Sequence, residues 1–259
     1  MIAAERRQYI IDALHRENVV TVSQLSNELS VTSETIRHDL EKLADENVLW
    51  RVHGGAYLRT ETNDREVPVD TRQLMSVEEK KLVSKACMEY IQDGDVLMLD
   101  NSTTVFYLVQ ELRRSSLQLT VITNSLNIIK ELSQSPEQFH IIVIGGDYCP
   151  QYNAFEVSSP DKELSRYHAK KAIISCSGIS STCGLTDYNA SNAAYTRAVL
   201  MNSDLRIFVS DHTKVEKNML HVIGGLELLD YVVIDKAVDK VFLGALKENN
   251  IHFVNAKKQ

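Results

Sequence analysis

The sequence predicts an α/β protein in two unequal parts: a small helical N-terminal part closed by a hairpin, and a larger part built on a mainly parallel sheet. A length of 259 residues exceeds one average domain and falls short of three. The first sixty residues place apolar side chains at helical spacing. From about Met75 onward, short runs are apolar at successive positions, the pattern of strands covered on both faces by helices. The divisions that follow are 1–59, a connecting segment 60–74 and a second domain 75–259.

Composition narrows the class. With 44% hydrophobic residues and only 4 Pro and 10 Gly, both parts can bury cores. No stretch approaches the roughly 18 apolar residues of a membrane span, and the first residues lack the apolar core of a secretion signal, so a cytoplasmic protein with no membrane association is expected. Cys87, Cys149, Cys176 and Cys183 form no C-x-x-C pair and have no His at ligand spacing. They are expected to be reduced, mostly buried thiols, with no metal site and no cofactor. The net charge of −7 argues against general coating of nucleic acid. Residues 1–59 hold seven cations against nine anions, so DNA contact there depends on where the cations sit.

Tyr9, Ile10, Ile11 and Leu14 predict a first helix over about 4–18. Thr21 is placed to cap a second, which turns Val22, Leu25 and Leu29 inward. Ser30-Val31-Thr32 reads as a tight turn, and Thr32 or Ser33 caps a third helix with Ile36, Leu40 and Leu43 as its apolar stripe. The opposite face shows Ser33, Glu34, Arg37, His38 and Glu41. Two helices joined by a tight turn, the second presenting hydroxyls and cations, are built to enter a major groove. Residues 48–53 read as a strand, Gly54-Gly55 as a reversal and Ala56-Tyr57-Leu58 as its return, which completes a winged helix-turn-helix. Candidate DNA contacts are Thr32, Ser33, Thr35, Arg37, His38 and Lys42 on the helix, and Arg51, His53 and Gly54 on the wing, with Arg59 close behind. Residues 60–75 are polar, carry Pro68 and lack helical periodicity, which suits a linker.

In the larger part, β-like runs fall at 96–100, 119–123, 141–145, 172–176, 206–210 and 231–234. Small, hydroxyl or charged residues follow five of them: Asp100-Asn101-Ser102-Thr103-Thr104, Thr123-Asn124-Ser125, Gly145-Gly146-Asp147, Ser177-Gly178, and Asp211-His212-Thr213-Lys214. In an open α/β sheet, ligands lie at the carboxyl ends of the strands, where helix N-termini offer free amides to an anion. Candidate effector contacts are therefore Asp100, Ser102, Thr103, Thr104, Thr123, Asn124, Gly145, Gly146, Ser177, Gly178, Asp211 and Lys214. Ser102-Thr103-Thr104, opening a helix, is the candidate phosphate cradle.

The segment from Val31 to Leu40 and the run Leu49-Trp50-Arg51-Val52-His53-Gly54-Gly55-Ala56 resemble the signature of the DeoR family of bacterial regulators. The second part is similar to that family's sensor domain, through Leu99-Asp100 with Thr103-Thr104, Thr123-Asn124-Ser125-Leu126, Gly145-Gly146, Gly178-Ile179 with Gly184-Leu185-Thr186, and Asp211 with Lys214. The resemblance implies a ribose-phosphate-isomerase-like fold and a repressor of a carbohydrate operon. It also implies double-stranded operator DNA as partner, a phosphorylated sugar as effector, and a homo-oligomer, dimer or tetramer. The chain departs from the family pattern in carrying His38 for a second arginine, Ser102 for a loop glycine and Asn192 for an acidic residue. Residues Tyr148 to Asn153 lack the basic residue often seen after the glycine pair in that family. A rival reading stays open: Asp100, Asp187, Asp211 and Lys214 could supply the base and cation of a sugar-phosphate isomerase carrying an appended interaction domain. No catalytic residue is assigned on the regulator reading.

Overall fold

The computed structural model describes residues 2–17, 19–46, 48–52, 54–58 and 67–258. The chain divides into two compact units, Met1–Val77 and Glu78–Gln259.

The first unit runs α1 (Ala3–Glu17), β1 (Val19–Thr21), α2 (Val22–Leu29), α3 (Ser33–Asp45), β2 (Leu49–Val52), β3 (Gly55–Leu58) and α4 (Val69–Gln73). Both predicted caps form: Thr21 Oγ1 accepts the Gln24 amide at 3.1 Å and Thr32 Oγ1 the Thr35 amide at 3.2 Å. Ser30 ends α2 in the left-handed region. Ile10, Leu14, Leu25, Ile36, Leu40 and Leu43 meet in one buried core, and each is at most 1% exposed. Below that core, Asp39 on α3, itself 1% exposed, pairs with Arg6 of α1. The hairpin β2–β3 is antiparallel, and β1 adds a third strand to it. That strand goes unforeseen in the sequence because three residues are too few to show a period. Gly54 takes φ +90, and a Cβ on Gly55 would stand 2.2 Å from the Val20 carbonyl oxygen, so both glycines are required.

Part of the connecting segment needs correction. Residues 60–66 lie outside the described residues, but Val69–Gln73 is helical and buries Val69 and Thr71. Pro68, whose φ is −54, starts that single turn where periodicity cannot be read.

The second unit continues with α5 (Val77–Cys87), β4 (Val96–Leu99), α6 (Thr103–Arg114), β5 (Leu119–Thr123), α7 (Leu126–Leu132), β6 (Phe139–Val143), β7 (Asp147–Cys149) and β8 (Ala154–Glu156). Then follow α8 (Pro160–Leu164), β9 (Ala169–Ile174), β10 (Gly178–Ser180), β11 (Gly184–Asp187), α9 (Ala190–Met201), β12 (Ser203–Ser210), β13 (His221–Gly224), β14 (Tyr231–Ile234), α10 (Lys240–Glu248) and β15 (His252–Asn255). Seven strands form a parallel sheet in the order β15-β14-β12-β9-β4-β5-β6. Alternate residues of each strand serve opposite faces. Met98, Ile174, Phe208 and Val232 pack with α9 and α10, through Ala198, Val199, Phe242 and Leu246. Leu97, Leu99, Ile173 and Val209 pack with α5, α6 and α7, through Val83, Leu108 and Ile128. Burial on both faces is why these runs read as continuous apolar stretches.

The predicted strand at 141–145 in fact begins at Phe139 and ends at Val143. The edge strand β15 and the three-stranded antiparallel sheet β10-β11-β13 lie beyond the predicted set. The cysteines divide evenly: Cys87 and Cys176 are buried, whereas Cys149 is half-buried and Cys183 exposed, which corrects the expectation that most would be buried. Among the described residues, no helix is long and apolar enough to cross a membrane.

Candidate functional site

On the first unit, the outward face of α3 is as the sequence orders it. Ser33, Glu34, Arg37, His38, Glu41 and Lys42 are exposed, as is Thr32 at the cap, and Thr35 is half-buried. Arg37 Nη1 lies 3.2 Å from Glu34 Oε2, one helical turn back. On the wing, Arg51 Nη1 stands 3.8 Å from Glu41 Oε1. Both pairs are open to solvent and therefore weak, so a phosphate or a base edge can take either cation from its carboxylate at small cost. Gly54 is exposed at the turn of the wing. His53 and Arg59 lie outside the described residues.

On the second unit, the carboxyl ends of β4, β5 and β9 bring the central candidates together. Asp100 Oδ1 accepts the Ser102 amide at 3.0 Å and Oδ2 accepts the Ser175 amide at 2.6 Å, so one carboxylate ties the β4 end to the β9 end. Ser102 Oγ caps α6 by accepting the Val105 amide at 3.3 Å, and the Phe106 amide reaches the Ser102 carbonyl. The amides of Thr103 and Thr104 open the helix ahead of these bonded ones, at the positive end of its dipole. Thr123 Oγ1 accepts the Ser125 amide at 3.1 Å, and Ser125 Oγ in turn caps α7. Asn124 bonds the passing β8 backbone, its Nδ2 donating to the Phe155 carbonyl at 2.8 Å.

The outer candidates have structural duties. A Cβ on Gly146 would fall 2.0 Å from the Glu156 carbonyl oxygen, and one on Gly178 would fall 2.4 Å from that of Lys217, so both glycines admit a crossing backbone. Gly145 is open, with nothing within 4 Å of such a Cβ. Ser177 donates its amide and hydroxyl to Asp187 Oδ2 at 3.2 and 3.1 Å. Asp211 Oδ1 accepts the Thr213 amide at 2.9 Å, and Lys214 beside it is half-buried. The cradle is nearly closed over, Thr103 and Thr104 being 7% and 4% exposed. A cleft of about 300 Å³ lined by Glu78, Glu79, Leu82, His212, Asp235, Lys236 and Lys257 opens near the ends of β12 and β14, away from Asp100. The polar set at the strand ends gathers capped helix starts in one place, where an open α/β sheet binds its ligand.

The description "DeoR-like helix-turn-helix domain" matches residues 6–62, and "DeoR C terminal sensor domain" matches residues 75–236. The chain is 33% identical over 97% of its length to the uncharacterized HTH-type transcriptional regulator YulB of Bacillus subtilis, covering 96% of that protein. It is 31% identical to the transcriptional repressor GlcR of the same organism, over 98% of this chain and 96% of the relative. It belongs to the DeoR family of transcriptional regulators. Another relative, 28% identical over 97% of this chain and 98% of its own length, is the glycerol-3-phosphate regulon repressor of Escherichia coli. Among solved structures it is similar to ribose 5-phosphate isomerase A from Neisseria gonorrhoeae, 12% identical over 52% of each chain with a TM-score of 0.37.

Two positions that the sequence reading sets apart from the family pattern have visible local uses in this DeoR-family chain. Ser102 supplies the α6 cap. Asn192 accepts from Asn101 Nδ2 at 3.0 Å through its Oδ1, joining the start of α9 to the β4 loop. Sequence reasoning missed Tyr195, which is 3% exposed on α9 and lies in the field of Asp100. An aromatic in the middle of an apolar helix carries no local sign that it differs from any other core residue.

Burial pushes the Asp100 carboxyl up to about 6, against the pull of the Ser102 and Ser175 amides. A folded-state value above the unfolded value of about 3.9 means that the native state holds this proton more tightly. Stability from this group is therefore full at low pH and is lost as pH rises through about 4 to 6. Moving from pH 7 to pH 5 should return roughly 1 kcal/mol to the sensor unit. Urea unfolding of the wild type and Asp100→Asn at both pH values checks this, the variant being expected to lack that increment.

Proposed function

We propose that this DeoR-family regulator is a cytoplasmic repressor of a carbohydrate operon whose hold on operator DNA is set by a phosphorylated sugar. The observation that carries the effector half is the set at the start of α6, where Asp100, Thr103 and Thr104 are buried and Ser102 half-buried, with Thr123 and Asn124 at the end of the neighbouring strand. A helix N-terminus flanked by hydroxyls is suited to a phosphate, and Asn124 and the neighbouring hydroxyls to the rest of a small polyol. Relatives named "Glycerol-3-phosphate regulon repressor" and "Putative aga operon transcriptional repressor" support the effector class and the sign. A relative named as the L-fucose operon activator makes that sign a matter for experiment.

The DNA half rests on α3 and the wing. One such helix reads too few base pairs for a unique genomic site, so the working form is a dimer or tetramer on paired half-sites. Effector binding then shifts the population between states of high and low operator affinity. The chain acts without catalysis on this reading, which its curated relatives support, being regulators.

Arg37→Ala should lose at least about 1 kcal/mol of operator binding, equivalent to a fivefold or greater rise in Kd. Fluorescence anisotropy on a duplex from upstream of the regulated operon measures this, and an unchanged Kd would remove Arg37 from the recognition surface. The effector is tested by thermal shift with sugar phosphates, because a ligand that prefers the native state raises the melting temperature.

A further inference from the structure

Two side chains at the candidate effector site bury polar atoms that have no hydrogen-bond partner among the described residues: Asn124 Oδ1 and the Tyr195 hydroxyl. Asn124 is 2% exposed and Tyr195 3%. Native proteins leave few such atoms unpaired, because each gives up a bond to water on burial. The Asn124 assignment is fixed by its own amide nitrogen, which donates to the Phe155 carbonyl, so Oδ1 points the other way as an acceptor. Tyr195 lies three residues after Asn192 on α9, hence on the same face of the helix. Asn192 reaches Asn101 beside Asp100, and the Tyr195 hydroxyl lies by the Asn124 backbone amide without meeting hydrogen-bond geometry. The two orphaned atoms thus belong to one corner, between the ends of β4 and β5 and the first turns of α9.

We propose that Tyr195 and Asn124 form the hydroxyl-reading end of the effector site, an inference that rests on the sugar-phosphate reading above. The orphan pair needs a partner that can donate to a carboxamide oxygen and exchange a hydrogen bond with a phenol. A sugar hydroxyl does both. A phosphate dianion oxygen carries no hydrogen for Asn124, which separates this corner from the α6 amides where an anion is better held. Both atoms are covered, so a ligand reaches them only as the covering side chains give way. Tyr195 is then a specificity-determining residue, selecting which phosphorylated compound acts, because a site built to bond a hydroxyl rejects analogues that lack it.

The test is isothermal titration calorimetry on the full chain and on Tyr195→Phe, which removes one oxygen and keeps the ring. The probes are ribose 5-phosphate, glucose 6-phosphate, glycerol 3-phosphate and inorganic phosphate. The expected result is that Tyr195→Phe weakens the tightest sugar or polyol phosphate by at least about tenfold while inorganic phosphate binds as before. Equal binding of that compound by the variant and the wild type would overturn the assignment, as would an equal loss for inorganic phosphate, which marks general damage to the site. If the wild type binds none of the organic phosphates, the sugar-phosphate reading itself fails, and Tyr195 loses its role with it.

Discussion

Thr103→Glu abolishes the effector response while operator binding without effector stays at the wild-type level. Thr103 is the first residue of α6, directly after the Ser102 cap. A carboxylate there lies within the helix's positive end, which offsets by some tenths of a kcal/mol the cost of placing a charge at a position 7% exposed. The same carboxylate repels an incoming phosphate, and like-charge juxtaposition costs several kcal/mol, roughly a hundredfold or more in effector affinity. Operator titrations of the variant at increasing sugar phosphate check this directly. A normal response would exclude the α6 start as the place where phosphate binds.

Asp39→Ala is the second large effect, this time on stability. Asp39 is 1% exposed and pairs with Arg6, which fastens α3 to α1. Removing one partner of a buried pair strands the other charge and costs about 3–5 kcal/mol. A unit of this size has little more than that to lose. The N-terminal unit of the variant should therefore unfold at much lower urea than the wild type, with operator binding lost in parallel. Replacing both partners by apolar residues, Arg6→Met with Asp39→Leu, should recover most of that loss, since paired burial is seldom better than apolar packing. A single Asp39→Ala variant of wild-type stability would show that the pair contributes nothing.

The contrast between Asp39 and Arg37 shows what the sequence could and could not reveal. The apolar stripe Ile36, Leu40, Leu43 fixes the inward face of α3, and Arg37 and His38 follow as outward residues by spacing alone. Asp39 shares the inward side, but its partner Arg6 is thirty-three positions away, and no local pattern links the two. The caps Thr21 and Thr32 were legible because the hydroxyl and the amide whose hydrogen bond it accepts lie three residues apart. The strands buried on both faces were legible from continuous apolar runs. β15 was not, because at the sheet edge His252 stays exposed and breaks the run. In the same way, the strand ends pointed to Asp100, Thr123 and Asn124, whereas Tyr195 enters from a helix that the topology alone brings to that edge.

The most direct measurement is the equilibrium affinity of the intact chain for its operator duplex at fixed salt, with and without a saturating sugar phosphate identified by thermal shift. A change in Kd of about 5-fold to 150-fold is predicted, the range of ordinary coupling between sites. An identical Kd in both conditions, with the ligand shown to be bound, would contradict control of DNA binding by the second unit.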